Sequence, residues 1–255
     1  MKIYKPRIIA RLDIKGPNVV KGVHFEGLRV LGEPNVLAMQ YYEQGADELL
    51  YIDTVASLYG RNNLTEVVKK AASNIFIPMT VGGGIRSVED ALELFRCGAD
   101  KIAVNTHSVK RPNLLKELVM FFGSQAVVAS LEIKRQTNGF WEIYIDNGRE
   151  RTGIDAFEWI KKVQDFGVGE ILITSIDQDG TGKGFDEEFV GEIHSLVSVP
   201  LVLGGGGKVV KDIVRMANKK QVDAFSFASG LHYGWFTIQE IKYGLQSAKI
   251  AVASH

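Results

Sequence analysis

The sequence has few cysteines, no long apolar run and no excess of charge of either sign. Its single cysteine, Cys97, excludes a disulfide within the chain and is typical of a reducing compartment. No apolar run approaches the roughly 20 residues that a membrane helix needs, and the first residues lack the apolar core of a signal peptide. We therefore expect a cytoplasmic protein that does not insert into a membrane.

Charge and composition narrow the class of partner. Thirty Lys and Arg residues balance thirty Asp and Glu residues, so the formal net charge is zero. A neutral chain has no general electrostatic attraction for nucleic acid or for an anionic membrane. Hydrophobic residues make up 45% of the chain and charged residues 24%, which is ordinary for a globular protein. We expect no nucleic-acid or membrane partner, and neither a metal nor a cofactor.

What the sequence does contain is a repeat of its own first half. The apolar run at 8–15, with Asp13 near its end and Lys15 last, returns at 127–134 with Glu132 and Lys134. Two more pairs recur at nearly the same offset: 78–84 with 200–206, and 45–50 with 167–172. This period is too long for a solenoid unit, so it predicts two similar half-domains.

Short apolar runs alternate with amphipathic helical stretches along the chain. The runs lie near 7–13, 48–53, 76–81, 101–105, 126–133, 170–175, 199–203 and 223–228, and the helices near 34–44, 63–73, 87–97, 111–122, 154–166, 186–197, 208–219 and 237–247. Such alternation predicts βαβ units and a parallel sheet. With a two-fold repeat it favours a closed (β/α)8 barrel, an α/β fold, over an open doubly wound sheet. No linker interrupts the chain, so we expect one domain, 1–255.

Polar residues end several of the predicted strands, where a (β/α)8 barrel carries its chemistry. Asp13, Asp53, Asn105, Glu132 and Asp177 all fall at such ends. One acid there is as readily a helix N-cap. Asp13 and Glu132, however, are repeat mates directed at one cavity. Two carboxyl groups in one cleft can take different pKa values and divide acid and base roles, so we predict that they are the catalytic pair.

Two glycine runs, 82–84 and 204–207, each follow a strand and precede a helix. One run alone is more often a tight turn, but backbone N–H groups there can also surround a phosphate. Two equivalent runs predict two phosphate sites, formed by Gly82, Gly83, Asn105 and Thr106 and by Gly205, Gly206, Ala228 and Ser229. They indicate a long ligand phosphorylated at both ends. The polar loop 177–184 is predicted to contact substrate or act as a lid, with a solvated loop as the alternative.

Several segments together resemble the cyclase-subunit (HisF) family of imidazole glycerol phosphate synthase over essentially the whole chain. They are 7–9 (Arg-Ile-Ile), 12–15 (Leu-Asp-Ile-Lys), 20–23 (Val-Lys-Gly-Val), 80–87 (Thr-Val-Gly-Gly-Gly-Ile-Arg-Ser), 174–181 (Thr-Ser-Ile-Asp-Gln-Asp-Gly-Thr) and 232–234 (His-Tyr-Gly). The resemblance implies a (β/α)8 barrel in histidine biosynthesis. It implies conversion of a bis-phosphorylated ribulosyl-formimino aminoimidazole carboxamide ribonucleotide, with ammonia from a glutaminase subunit, to imidazole glycerol phosphate and aminoimidazole carboxamide ribonucleotide.

The resemblance also implies roles for individual residues. Asp13 and the residue at position 132 would be the acid–base pair, and Lys21 would lie on the first βα loop. We predict a substrate-binding set of Lys21, Asp53, Asp177 and Asp179. Four charges that begin strands, Arg7, Glu48, Lys101 and Glu170, would form an ammonia gate at the N-terminal rim, where the glutaminase docks with Asp100 in the contact. A solvated salt-bridge ring of little energetic value is the alternative.

Three residues depart from the family pattern. Glu132 stands where the family has aspartate, Arg11 where it has a small residue and Gly204 where it has serine. Alternation places Arg11 on the inward face with Asp13, and a buried cation needs a partner, which we expect to be Glu132 or Asp53. These departures leave open a paralogous synthase that amidates a sugar in surface-polysaccharide biosynthesis. An inactive binding subunit and a single-chain sugar isomerase are further alternatives.

Overall fold

Strands and helices alternate along the chain in the computed structural model, which describes residues 3–56 and 64–253. The strands are β1 (Arg7–Lys15), β2 (Asn18–Val23), β3 (Glu26–Gly32), β4 (Glu48–Asp53), β5 (Met79–Gly82), β6 (Lys101–Val104), β7 (Val127–Arg135), β8 (Trp141–Ile145), β9 (Glu150–Asp155), β10 (Glu170–Ser175), β11 (Leu201–Gly204) and β12 (Ala224–Phe227). Eight of them are parallel and follow the order β1-β4-β5-β6-β7-β10-β11-β12, with β12 paired to β1. The predicted (β/α)8 barrel is confirmed.

The helices cover the outside of the barrel. They are α1 (Pro34–Glu43), α2 (Thr65–Ala72), α3 (Val88–Arg96), α4 (Thr106–Lys110), α5 (Asn113–Phe122), α6 (Ala156–Asp165), α7 (Glu187–Ile193), α8 (Val210–Asn218), α9 (Ser229–His232) and α10 (Ile238–Ser247), with a 3-10 turn at Ser124–Ala126. The predicted helices are therefore close to those observed, although α7 ends earlier than expected. The second helix was expected to start at residue 63, which lies outside the described residues. In the described ranges, no helix has the length and apolarity needed to cross a membrane.

Side chains of the barrel strands alternate between two apolar regions. One face packs under the helices in the main core. The other fills the barrel interior with one apolar layer, formed by Ile9, Leu50, Ala103, Val128, Leu172, Val202 and Ala224. An interior packed with branched side chains is normal for this fold. The layer separates the charged strand starts at one end of the barrel from the polar strand ends at the other.

Each half of the barrel also carries a β-hairpin that the sequence analysis did not predict. The first hairpin, β2–β3, follows β1, and the second hairpin, β8–β9, follows β7 at the equivalent place. The second turns through Asp146, Asn147 and Gly148, all with positive φ. The hairpins contact each other, since a Cβ on Gly148 would lie 2.7 Å from the Phe25 ring. These hairpins bring additional groups to both predicted catalytic acids.

Candidate active site

Two cavities lie at the carboxyl ends of the barrel strands, one in each half. The first cavity, about 50 Å³, is lined by residues that include Asp53, Gly83, Asn105, Thr106 and Glu132. The second cavity, about 20 Å³, is lined by residues that include Asp179, Gly205, Gly206, Ala228 and Ser229. Arg11 lines both. The structure thus groups the predicted phosphate-binding residues into two equivalent places, with Gly82 at the end of β5 beside Gly83.

Close backbone contacts require glycine in both runs. A Cβ on Gly83 would lie 2.4 Å from the Asp53 carbonyl oxygen, and a Cβ on Gly206 would lie 1.9 Å from the Gly184 carbonyl oxygen. Both residues also have positive φ, 103° and 92°. Glycine accepts this conformation at no steric cost, whereas other residues are strained there. The two runs are therefore tightly packed parts of the site.

The short helices beside the cavities begin in the same way in both halves. The residue before α4, Asn105, has φ −114° and ψ −89°, and the residue before α9, Ala228, has φ −119° and ψ −80°. Neither side chain caps its helix. The third N–H of each helix, that of Ser108 or Leu231, donates to the carbonyl of Asn105 or Ala228. The first N–H groups of a helix generally lack partners within it and can bind an anion. This matched geometry supports paired phosphate sites.

Asp13, on β1, lies between two cations. Its residue is 2% exposed. Oδ1 accepts a hydrogen bond from Arg11 Nε at 2.8 Å, and Oδ2 accepts one from Lys21 Nζ at 3.1 Å. Burial alone would raise the pKa of Asp13, but the charges of Arg11 and Lys21 outweigh it and lower this pKa to about 2. Asp13 is therefore a carboxylate at any physiological pH.

Lys21 lies on the connection between β1 and α1, the first βα loop, as expected, but this connection forms a hairpin and the residue is buried in its strand β2. The first hairpin carries its ammonium into the site, where Nζ donates to both Asp179 oxygens at 2.9 and 2.8 Å as well as to Asp13. The Phe25 ring centroid lies 5.4 Å from Nζ. Burial disfavours the charged form, but Asp179 and Asp13 outweigh it and raise the pKa of Lys21. Lys21 is a fixed positive charge of the site.

Glu132, on β7, has a different environment. Its residue is 7% exposed, and Oε2 accepts a hydrogen bond from the Gly148 N–H at 2.8 Å. Burial raises the pKa of Glu132 to about 7, because this one hydrogen bond and the more distant charge of Arg11 offset it only in part. A carboxyl group that titrates near neutrality can both donate and accept a proton at working pH. Glu132 is suited to that role.

Arg11 does not pair with Glu132 or Asp53, so the expected partner was wrong. Its Nε donates to Asp13, and its Nη1 donates to Thr174 Oγ1 at 3.0 Å. Arg11 and Asp13 are two residues apart on one face of β1, which places this carboxylate closest to the guanidinium. A Cβ on Gly204 would lie 3.4 Å from Thr174 Oγ1. Arg11 and Gly204, two departures from the family pattern, therefore both lie next to the Thr174 hydroxyl.

The other predicted substrate-binding acids have different positions. Asp53 accepts a hydrogen bond from the Val55 N–H at 3.0 Å and lines the first cavity. Asp179 lines the second cavity and binds Lys21. Asp177 accepts a hydrogen bond from the Arg135 N–H at 2.9 Å and lies outside the lining of both cavities. The substrate contacts of these acids stay predictions.

Asn147 is a site residue that the sequence analysis missed. It is 8% exposed and lines the first cavity. Within the described part of the chain, its Nδ2 is buried without a hydrogen-bond partner. Its φ of 57° belongs to the tight turn of the second hairpin. The sequence Asp-Asn-Gly at 146–148 is a strong signal for such a turn and predicts the hairpin that carries Asn147.

The four predicted gate residues form a closed ring of ion pairs at the opposite end of the barrel. Arg7 pairs with Glu48 at 2.7 Å and also with Glu170. Lys101 pairs with the same two glutamates, each at 2.7 Å. The glutamate side chains are only 3% and 6% exposed, so the ring is not simply solvated. Asp100, an exposed residue next to it, accepts a hydrogen bond from the Met79 N–H at 2.8 Å.

Comparisons with known proteins agree with this architecture. Residues 7–237 match the family model described as histidine biosynthesis protein. The chain is 63% identical over 200 residues to the imidazole glycerol phosphate synthase subunit HisF of Legionella pneumophila, covering 78% of this chain and 94% of that one. It is 44% identical over 246 residues to the subunit of the same name from Bacillus cereus strain Q1, covering 96% of this chain and 98% of that one.

Proposed function

The chain belongs to the histidine biosynthesis protein family and, within it, to the HisF family, and on this premise we propose that it is the cyclase subunit of imidazole glycerol phosphate synthase. The names of its relatives favour this function over amidation of a sugar. The observation that carries the proposal is the pair of buried carboxyl groups, Asp13 and Glu132, at equivalent places of the repeat. Glu132 lines the first cavity, and Arg11, which binds Asp13, lines both cavities.

The proposed reaction uses the two acids in different protonation states. Ammonia adds to the ribulosyl carbonyl, whose oxygen leaves as water. The new nitrogen then bonds to the formimino carbon, the bond from that carbon to the departing amine breaks, and the imidazole ring closes. Each step moves a proton to or from nitrogen or oxygen, which a positioned carboxyl group accelerates by about 100- to 10,000-fold. Glu132, with a pKa of about 7, suits the transfer of protons. Asp13, with a pKa of about 2, suits the stabilisation of positive charge that develops on the reacting nitrogen.

Rescue of a histidine auxotroph that lacks the cyclase tests this function. Expression of this chain should restore growth without histidine, and the Asp13→Asn variant should not. Purified protein supplied with an ammonium salt should form both products from the bis-phosphorylated ribonucleotide. A folded, soluble chain that gives neither growth nor product would contradict the proposal and return attention to a sugar substrate.

We also propose that the two cavities bind the two phosphates of the substrate. The first would use backbone N–H groups near Gly83 and Thr106, and the second those near Gly206 and Ser229. A bis-phosphorylated substrate analogue should bind at least about tenfold more tightly than the same compound lacking either phosphate, because each charge-assisted contact contributes about 1.5–3 kcal/mol. Calorimetric titration measures this. Equal affinity for the three compounds would show that one glycine run is merely a turn.

The relatives are named as subunits, which implies that they form a complex. We propose that the partner is a glutaminase that docks at the N-terminal rim. A cavity of about 590 Å³ opens there, lined by Tyr4, Arg7, Lys101 and Glu170 among others. The Lys101→Met variant should lose glutamine-dependent turnover while it keeps ammonia-dependent turnover. The matched control is Lys161→Met, which removes an exposed lysine of α6. Equal glutamine-dependent turnover in both variants would place the ammonia entrance elsewhere.

A further inference from the structure

Arg11 lies where the two halves of the site meet. Resting on the proposed function, we propose that Arg11 is a positioning residue: it fixes Asp13 as the permanently ionised acid and thereby leaves Glu132 as the acid that exchanges the proton. The family resemblance gives Arg11 no role. The inference depends on the contacts of Arg11, on its burial and on the charges that surround the two acids.

The guanidinium of Arg11 is held from three directions. Its residue is 5% exposed. Nε binds Asp13 on its own strand, and Nη1 binds Thr174 of β10 across the barrel interior at 3.0 Å. The Phe25 ring of the first hairpin lies 5.7 Å from Cζ. A planar group anchored in this way keeps one orientation, so it also holds the Asp13 carboxylate in one orientation.

Asp13 has opposite charges on both oxygens, but the two cations are not equivalent. Lys21 divides its ammonium between Asp13 and Asp179, with two hydrogen bonds to the latter. Arg11 makes its ion pair with Asp13, and a guanidinium does not lose its proton in a protein. His232 also faces Asp13, but burial lowers its pKa to about 4, so it is neutral at pH 7. The dedicated positive charge on Asp13 is therefore Arg11.

The charged groups around Glu132 act on it without direct contact. Arg11 acts on it at longer range, whereas Asp13 and Asp179 both disfavour its ionised form. Asp53 and His107 line the same cavity. The direct contact of Glu132 is with a backbone N–H, not with a cation. Because Arg11 is closer to one acid than to the other, it separates the proton affinities of two groups that the repeat makes equivalent.

This separation assigns the proton transfers to Glu132. Protonated Glu132 donates its proton to the nitrogen that leaves as the formimino bond breaks. The resulting carboxylate then accepts a proton from the nitrogen that ammonia supplied, as the imidazole ring forms. The acid is thus restored, and no net proton is gained or lost by the pair. Asp13 stays ionised throughout and holds the cationic nitrogen in place.

Carboxyl titration in the ligand-free protein tests the role of Arg11. The chain is labelled with carbon-13 at Asp and Glu carboxyl groups, and signals are assigned with Asp13→Asn and Glu132→Gln. Replacement of Arg11 by Met should move the Asp13 titration midpoint upward by about one to three pH units, because an adjacent cation lowers such a pKa by that amount. Arg11→Lys keeps the charge and should leave the midpoint within about half a unit. An unmoved Asp13 midpoint in folded Arg11→Met would overturn the proposal.

Turnover with ammonium salts supplies the second readout. Arg11→Met should lower kcat by about 100-fold with little change in KM, and Arg11→Lys should recover about tenfold of that loss and stay about tenfold below wild type. If Arg11→Met does not fold, Arg11→Lys decides, since wild-type kcat in that variant would show that the planar group is not needed. The titration requires no substrate. A wild-type chain without cyclase turnover therefore refutes the proposed function, whereas an unmoved Asp13 midpoint refutes the role of Arg11.

Discussion

The two hairpins occupy equivalent places in the two halves, yet they bring different chemistry to the acids beneath them. The first hairpin places the Lys21 ammonium on Asp13, and the second hairpin places the N–H of Gly148 on Glu132. Burial raises the pKa of both carboxyl groups, but Arg11 and Lys21 outweigh it at Asp13 and lower that pKa to about 2, whereas the Gly148 N–H offsets it only in part at Glu132, whose pKa is about 7. A repeat can thus duplicate the position of a carboxyl group without duplicating its proton affinity. Proton affinity depends on the inserted hairpins and on Arg11.

Replacement of Asp13 by asparagine should have the largest effect of the changes that compare the two halves. The amide keeps the shape of the side chain but cannot stabilise a developing cation, so ammonia-dependent turnover should fall by about 1,000-fold or more. The fold should remain, since Arg11 and Lys21 keep Asp179 nearby. Steady-state kinetics and circular dichroism measure the two properties. Turnover within about threefold of wild type would remove Asp13 from the acid–base pair.

The two hairpins should also differ in how much a lysine contributes to stability. Lys21→Met removes a buried cation and leaves Asp13 and Asp179 close together, so the free energy of unfolding should fall by about 3–5 kcal/mol. Lys110→Met removes a half-exposed lysine that pairs with Asp146 of the second hairpin, which should cost less than about 1 kcal/mol. Urea unfolding compares the variants. Equal losses would mean that the charges of the first hairpin are not effectively buried.

The pH dependence of stability should reveal the unusual proton affinity of Glu132. Its pKa is raised from 4.5 to about 7, so the folded state holds a proton that the unfolded state releases. The free energy of unfolding should therefore fall as the pH rises from 4.5 to about 7, by at most about 3 kcal/mol, and then level off. Glu132→Gln should lack this decline. Parallel pH curves for both proteins would show that Glu132 titrates normally.

Alanine in the two glycine runs should give smaller losses. Gly206→Ala and Gly83→Ala each place a methyl group against a carbonyl oxygen, with the closer approach at Gly206, 1.9 Å against 2.4 Å. Each should destabilise the fold by about 1–3 kcal/mol, with the larger loss at Gly206. Gly191→Ala in α7 is the control, since a Cβ there meets no atom within 4 Å. It should stabilise by about 0.5–1 kcal/mol. Thermal unfolding that ranks the three otherwise would contradict the packing.

The barrel could be predicted from the sequence because its signals are local and repeated. Each parallel strand is a short apolar run, and the repeat fixes the number and pairing of the halves. The first hairpin was missed because of its second strand, and the second hairpin was missed although Asp-Asn-Gly at 146–148 signals its turn. In β3 most residues are exposed or intermediate, so its pattern is not that of a buried strand. Lys21 was accordingly placed on the first βα loop without its hairpin, and its ion pairs were not expected.

The sequence pattern predicts which residues come together in the site, but not which atoms contact each other. Alternation correctly placed Arg11 and Asp13 on one face, yet the choice of partner depends on side-chain reach within the barrel. Asp177 and Asp179 lie two residues apart in one loop. Asp179 faces Lys21, whereas Asp177 binds the Arg135 N–H, because the turn between them redirects the chain. Such differences arise from tertiary geometry, which a sequence pattern does not contain.

The ring of Arg7, Glu48, Lys101 and Glu170 has a consequence for how the bottom of the barrel would open. Each member binds two others, so there is no terminal residue that can swing away by breaking a single ion pair. Rotation of any one side chain breaks two contacts together and leaves both glutamates or both cations with one partner each. Movement of a single side chain therefore breaks two of the four ion pairs at once. A ring of this kind would open in steps of two ion pairs and never of one.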